Sequence, residues 1–271
     1  MLKTVTCVES CGNDCLLPLF LPLGELMKQV RSVERALDVL RSFALRPSQT
    51  AGEIQKITGL NRPTLYRLLA TLEGRGFIRS HGDPRIYEVS EIALQLANAW
   101  LSLGDVTRVS TSHLRHLWDR TGETVALILP HGQTSRILVQ EIRSPKPLSL
   151  SLGVGHVAPL DRGTSGKVLL AFLGEARIKD VLGTISVKAV RERVAASLPR
   201  IRRKMVCTSH GEVLAGGASI ASPVFGRNGE VVAAVTVFGP DARLRGAELE
   251  RCEVWVRETA DAISKALGHT G

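Results

Sequence analysis

Apolar residues recur along this chain with two spacings, about 3.6 residues in some stretches and 2 in others, and the change from one to the other predicts the elements. Val33, Ala36, Leu37, Leu40, Phe43 and Ala44 fall on one buried side of a helix that Ser32 can cap and that ends before Pro47. Thr50-Ala-Gly-Glu53 has the form of a capping box, Ile54 and Ile57 follow on one face, and Gly59 closes this short second helix. After a turn at Leu60-Asn61, a third helix begins at Asn61 or Arg62. It tolerates Pro63 in its first turn and carries Leu65, Leu68, Leu69 and Leu72 as its core stripe. The segments Phe77-Ile-Arg-Ser and Ile86-Tyr-Glu-Val then read as two strands joined by His81-Gly-Asp-Pro84.

A second helical stripe, Ala93, Leu94, Ala97, Trp100 and Leu101, runs from Glu91 to about Leu103, with Gly104 as its stop. Beyond it, Leu114, Leu117 and Trp118 predict a helix. Strands are expected at 125–129 and 137–142 around His131-Gly132, at 148–152, and at 218–224. Pro223-Val-Phe and 231–238 flank Gly226-Arg-Asn-Gly229, a hairpin signal, and helices are expected around 166–173, 187–206 and 246–267. The reading is an α+β protein: a winged helix-turn-helix over residues 28–90, a linker helix over 91–106 that could serve dimerisation, and an antiparallel sheet with flanking helices over 107–271. Residues 1–27 are read as an N-terminal appendage, with Met27 a candidate start.

Composition changes this picture little. Hydrophobic residues at 44% and charged residues at 23% describe an ordinary globular chain, and 271 residues suffice for two cores. Charge matters more: of the net +9, residues 28–90 hold eleven Lys+Arg against six Asp+Glu, whereas residues 91–271 hold 23 against 17. The positive density therefore lies in the N-terminal module, and a polyanion such as double-stranded DNA is the partner it suits. The five cysteines, three of them Cys7, Cys11 and Cys15, suggest neither a disulfide framework nor a zinc site, and a reducing cytoplasm fits them. The apolar run 16–23 is broken by Pro18 and Pro22 and is too short to span a bilayer, so no membrane association is expected.

The third helix leaves Arg62, Thr64, Tyr66, Arg67 and Thr71 facing outward, with Asn61 at its start; such a face suits a recognition helix in a major groove. Arg79 and Arg85 beside the hairpin turn suit phosphate or minor-groove contacts. A winged helix used for protein contacts is the alternative, and for the linker stripe the alternative to self-pairing is packing on its own chain.

Enzyme signals fail: Gly153-Val-Gly155-His-Val-Ala158 is followed by Pro159 where a dinucleotide site needs a helix, and residues 161–167 lack the first glycine of a P-loop. Gly163-Thr-Ser-Gly166 is not a hydrolase elbow. No metal site or cofactor is expected. A binding site is: Thr164 and Ser165 precede an apolar helical run where a carboxylate could be received, with Lys167 adding charge or capping the surface. Ser219 and Thr236 sit in apolar strands, where they either bond to backbone or line a pocket.

The stretches Val30-Arg-Ser-Val-Glu-Arg-Ala-Leu-Asp-Val-Leu and Gly59-Leu-Asn-Arg-Pro-Thr-Leu-Tyr-Arg-Leu-Leu-Ala-Thr-Leu-Glu closely resemble the start of IclR-family transcriptional regulators. Pro159-Leu-Asp-Arg-Gly-Thr-Ser-Gly-Lys-Val-Leu-Leu-Ala resembles the family's ligand loop, and Gly211-Glu-Val-Leu-Ala-Gly-Gly-Ala-Ser-Ile-Ala-Ser-Pro-Val-Phe its C-terminal signature. The resemblance covers about residues 28–268. It implies a GAF-like effector domain that takes small organic or aromatic acids, an operator-binding homodimer or dimer of dimers, and a regulator rather than an enzyme. A small-molecule enzyme with an accessory winged helix is the rival. The family's ligand contacts fall on Thr164, Ser165, Ser209 or His210, Ser219 and Thr236, with Phe238 where a small polar residue often stands. Pro63 replaces a small hydroxyl residue, Tyr66 a frequent His, and Met205 a usual Gly.

Overall fold

The computed structural model describes residues 5–6, 30–103 and 105–270. They fall into two compact units, one within residues 22–104 and one within residues 105–271 that also takes in strand β1 (Val5–Thr6). The appendage reading of residues 1–27, Cys7, Cys11 and Cys15, and the stop at Gly104 lie outside the described residues.

The N-terminal unit comprises α1 (Arg31–Leu45), β2 (Ser48–Thr50), α2 (Ala51–Thr58), α3 (Arg62–Gly74), β3 (Ile78–His81), β4 (Ile86–Val89) and α4 (Ile92–Leu103). Val39, Phe43, Ile54, Leu65, Leu69, Leu72, Ile78 and Tyr87 form its core. The capping box forms as expected: Glu53 N–H donates to Thr50 Oγ1 at 3.4 Å and Thr50 N–H donates to the Glu53 carboxylate at 2.8 Å. Gly59 ends α2 at φ +67°, the left-handed conformation that glycine adopts without a Cβ clash.

Two expectations for α1 fail. Val30, not Ser32, is its N-cap and makes no side-chain hydrogen bond there. The buried face is also turned: Val39, Ser42 and Phe43 are buried, whereas Val33 and Leu37 are each 53% exposed and Ala44 is exposed. The cause is β2, which pairs with β4 in a three-stranded sheet ordered β2-β4-β3. Its Gln49 is buried and donates to Ser42 Oγ at 3.3 Å and to the Arg46 carbonyl at 2.9 Å, so a polar pair occupies the helix face that apolar periodicity assigned elsewhere. Ile57, expected inward, is exposed.

The second unit contains α5 (Asp105–Thr121), β5 (Thr124–His131), β6 (Ser135–Ile142), β7 (Leu150–Ser151), β8 (Val157–Pro159), α6 (Gly163–Ala171), α7 (Glu175–Gly183), α8 (Lys188–Lys204), β9 (Cys207–His210), β10 (Gly217–Phe225), β11 (Val231–Pro240) and α9 (Gly246–Ala266). Six strands form one antiparallel sheet in the order β8-β6-β5-β11-β10-β9. Both faces are covered. Ala126, Ile128, Leu138, Ala221, Ala234 and Phe238 pack toward α6 and α8, and the alternate residues Val125, Leu127, Ile220, Val235 and Val237 pack toward α5 and α9. Burial on both sides explains why β10 and β11 read as nearly continuous apolar runs. The strand expected at 148–152 shrinks to β7, which pairs in parallel with β1 outside the main sheet.

Met205, at the C-cap of α8, takes φ +56° and is the sole non-glycine at positive φ among the described residues. A Cβ there is strained, and Met205 is 36% exposed, so little packing offsets the cost. Met205→Gly is expected to raise stability by about 0.5–1 kcal/mol after the added freedom of the unfolded chain is counted. Urea unfolding of the two proteins measures this, and a lower midpoint for the glycine variant would contradict the strain assignment.

Candidate nucleic-acid interface and ligand cleft

In the N-terminal unit, α3 turns Leu65, Leu69 and Leu72 inward, which leaves Tyr66 and Arg67 outward beside Arg62; Tyr66 is 53% exposed. Asn61 is the N-cap: its Oδ1 accepts from Thr64 N–H at 3.0 Å, which leaves its amide NH2 free to donate outward. No acidic residue occupies the first turn of α3, so the partial positive charge of the helix start is not cancelled locally. Among the described residues no ion pair is recorded for Arg62, Arg67 or Arg85. These groups form a cationic edge at the start of α3 and at the hairpin tip.

Not every expected residue is equally available. Thr64 is half-buried, and the Thr71 hydroxyl donates to the Arg67 carbonyl at 2.8 Å within its own helix. Arg79 is held by Glu88 at 3.4 Å and Glu91 at 3.1 Å. Those pairs are exposed, where an ion pair contributes at most about 1 kcal/mol, so a phosphate can displace them.

In the C-terminal unit, a cleft lies between the sheet face and the start of α6. It is narrow, with about 600 Å³ of space counted to its open mouth. Thr164, Ser165, Ser209, Ser219, Thr236 and Phe238 all line it. Three of the hydroxyls form a chain, with Thr164 Oγ1 donating to Ser219 Oγ at 3.0 Å and Ser209 Oγ 3.3 Å from Ser219 Oγ. Thr236, 3% exposed, has a buried Oγ1 with no recorded partner. The first turn of α6 likewise has no side-chain cap. Phe238 is buried and narrows the space.

His210 is not brought into this group. Its Nδ1 faces Asp241 Oδ1 outside the cleft, so of the two alternatives Ser209 is the lining residue. Lys167 pairs with Glu212, a cleft residue, at 2.6 Å.

Sequence reading missed Arg136. It lies on the β6 face shared with Leu138, is 5% exposed, and lines the cleft. Its Nε donates to Ser165 Oγ at 2.9 Å and its Nη1 to the Pro159 carbonyl. Burial pushes its pKa down to about 10, with Asp161 and Glu212 opposing, so it stays cationic at neutral pH. The signal was a lone arginine entering an alternating apolar strand, which ordinarily marks an exposed strand end.

Burial, and next to it the Arg136 charge, lower the pKa of His156, while Glu141 works the other way. Among the described residues no group of three or more His, Cys, Asp or Glu could hold a metal, and no helix is long and apolar enough to cross a membrane.

Residues 32–82 match the IclR helix-turn-helix domain, and residues 98–265 match the bacterial transcriptional regulator IclR C-terminal domain. The chain is 27% identical to the HTH-type transcriptional regulator XynR of Escherichia coli, over 90% of this chain and 99% of that one. It is 24% identical to the transcriptional repressor IclR of the same organism, over 89% and 91%. The crystal structure of an IclR transcriptional regulator from Alicyclobacillus acidocaldarius superposes with a TM-score of 0.78 at 25% identity, covering 89% of this chain and all (100%) of that one. An IclR homologue from Microbacterium hydrocarbonoxydans, complexed with 4-hydroxybenzoate, shares the fold at a TM-score of 0.75 and 21% identity, over 87% and 98%.

A histidine whose folded-state pKa is lowered stays neutral while the unfolded chain takes up a proton. Its contribution to stability is therefore intact above the free imidazole value of about 6.5 and is lost as pH falls below it. Unfolding free energy between pH 7 and pH 5 is expected to fall more steeply for the native protein than for His156→Gln. Equal slopes in denaturant titrations would show that His156 protonates freely in the fold.

Proposed function

The chain belongs to the IclR family of bacterial transcriptional regulators, DNA-binding proteins with an effector-binding domain rather than enzymes, and on that footing we propose how its two sites are used. The start of α3 enters the major groove of an operator, with Arg62, Tyr66 and Arg67 at base edges and Asn61 and Thr64 near the backbone. Arg85, and Arg79 once released by Glu88 and Glu91, hold flanking phosphates. Thr71 contributes through its position on the face rather than its committed hydroxyl.

The observation that carries this reading is that Arg62 and Arg67 are exposed and have no ion-pair partner among the described residues, on a helix whose first turn holds no acid. A module that used α3 for apolar protein contacts would have little need of two unpaired arginines on that face.

The cleft under α6 receives a small organic acid that modulates operator binding in the cytoplasm. Support comes from the uncapped start of α6, the hydroxyl chain Thr164-Ser219-Ser209, and the 4-hydroxybenzoate bound by the relative of like fold. The protein acts as a dimer or a dimer of dimers. Leu94 at 63% and Leu96 at 59% exposure on α4, with Val33 and Leu37 on α1, offer apolar surface that a second copy would cover, and a two-fold pair presents two copies of α3 to a two-fold operator.

Arg67→Ala is expected to weaken binding to an operator fragment, selected from genomic DNA, by roughly 1–3 kcal/mol while leaving binding to random duplex less affected. Fluorescence anisotropy at one fixed salt concentration measures both. Unchanged operator affinity would remove α3 from the groove.

A further inference from the structure

We infer that Arg136 is the anchor for the effector's anionic group, and that the effector is a small monocarboxylate whose far end carries a hydroxyl or carbonyl for Thr236. This rests on the cleft being the effector site and names the chemistry that site selects.

A guanidinium that is 5% exposed has lost its water and needs a counter-charge or a full set of acceptors. Arg136 has two neutral acceptors, Ser165 Oγ and the Pro159 carbonyl, and no carboxylate within ion-pair distance among the described residues. Glu212 is committed to Lys167 at 2.6 Å, and Asp161 acts from beyond contact.

The guanidinium also lies against the first turn of α6. A Cβ at Gly163 or at Gly166 would stand 3.1 Å from one of its nitrogens, so both glycines leave it room. A cation pressed against the positive end of a helix is an unfavourable pair, and an anion placed between them relieves both.

The second, independent observation is at the other end of the cleft. Thr236 Oγ1 is buried without a partner and lines the same space. On β5, Pro130 is opposite Arg136 and Ala126 opposite Thr236. The two polar groups are therefore four residues apart along the sheet and two strands apart across it, roughly 16 Å between their backbones, before the arginine side chain closes part of that span. Ile128, which precedes Pro130 by two residues on β5, lies between these two levels, and Leu152 and Phe238 complete the apolar part of the lining. A second carboxylate would find Glu212 and no further cation among the lining residues, which disfavours diacids.

The test uses the full chain, with benzoate, 3-hydroxybenzoate and pyruvate each compared with its neutral amide by thermal shift and calorimetry. At least one acid is expected to bind and its amide to bind tenfold or more weakly. Arg136→Gln should lose that preference, Arg136→Lys should keep part of it, and Thr236→Val should weaken 3-hydroxybenzoate more than benzoate. Equal binding of acid and amide by the native protein overturns the anchor, as does an Arg136→Gln variant that keeps native operator affinity and the full acid preference. In both cases the cleft still stands as the effector site. Absence of binding by every acid overturns the acid-binding cleft and the anchor with it. If Arg136→Gln does not fold, the native comparison and Arg136→Lys decide the matter, since Arg136→Lys with undiminished acid binding removes the need for the guanidinium fork.

Discussion

A helix that begins inside a protein must find partners for backbone N–H groups that water cannot reach, and the start of α6 is such a place. Every residue of α6 except Lys167 is buried, and the helix lies so close to the preceding turn that a Cβ at Gly166 would stand 2.6 Å from the Leu160 carbonyl oxygen. With no side-chain cap available, polar groups have to gather around this end if the fold is to hold. The hydroxyls of Thr164, Ser165, Ser209 and Ser219 gather near this end, and Arg136 donates to one of them, so the start of α6 opens onto a cleft with a polar lining.

The C-terminal unit uses charge in one way that the N-terminal unit does not. In the N-terminal unit the ion pairs are exposed: Arg79 with Glu88 and Glu91, Arg46 with Glu53. Such pairs exchange readily with another anion, which suits the phosphate contacts proposed for this surface. The C-terminal unit has exposed pairs as well, such as Arg108 with Asp105, but two of its carboxylates are buried and fastened. Glu123 receives both Arg243 and Lys146, and Glu141 accepts from Ser151 Oγ and from Leu152 and Gly153 N–H, pinning the segment that forms one wall of the cleft. Removing one member of such a set leaves an uncompensated charge, so these contacts define position rather than partner choice.

Elements with a strong period of their own were readable from residues alone: the leucine stripe of α3, the capping box of α2, and the β10–β11 hairpin all stand where the spacing puts them. What escaped depends on neighbours distant in sequence. β2 is three polar residues whose strand character comes from pairing with β4, and its Gln49 then turns α1 so that Val39, not Leu37, faces the core. β8 and β9 lie at the two edges of the large sheet and are short, so neither builds a pattern of its own. The cleft's hydroxyls were legible because a hydroxyl inside an apolar run is conspicuous. Arg136 was not, because an arginine near a turn ordinarily faces water, and its burial is decided by α6 closing over it from 29 residues further along.

The narrowness of the cleft follows from the same arrangement. Phe238 contributes a ring where the family often has a small polar residue, two residues beyond Thr236 on β11 and opposite Ser219, so an apolar surface stands beside the hydroxyls. An acid entering would exchange contacts of Arg136 with neutral acceptors for one with a carboxylate, which adds the attraction of a full opposite charge in a site shielded from water. A neutral molecule of the same shape gains no such exchange and still has to displace the Ser165 contact. With the effector anchored as proposed, selection between an acid and its amide falls to the buried guanidinium, while selection among acids falls to Phe238 and the unpartnered Thr236 hydroxyl, which disfavour a ligand that fills the space without meeting that hydroxyl.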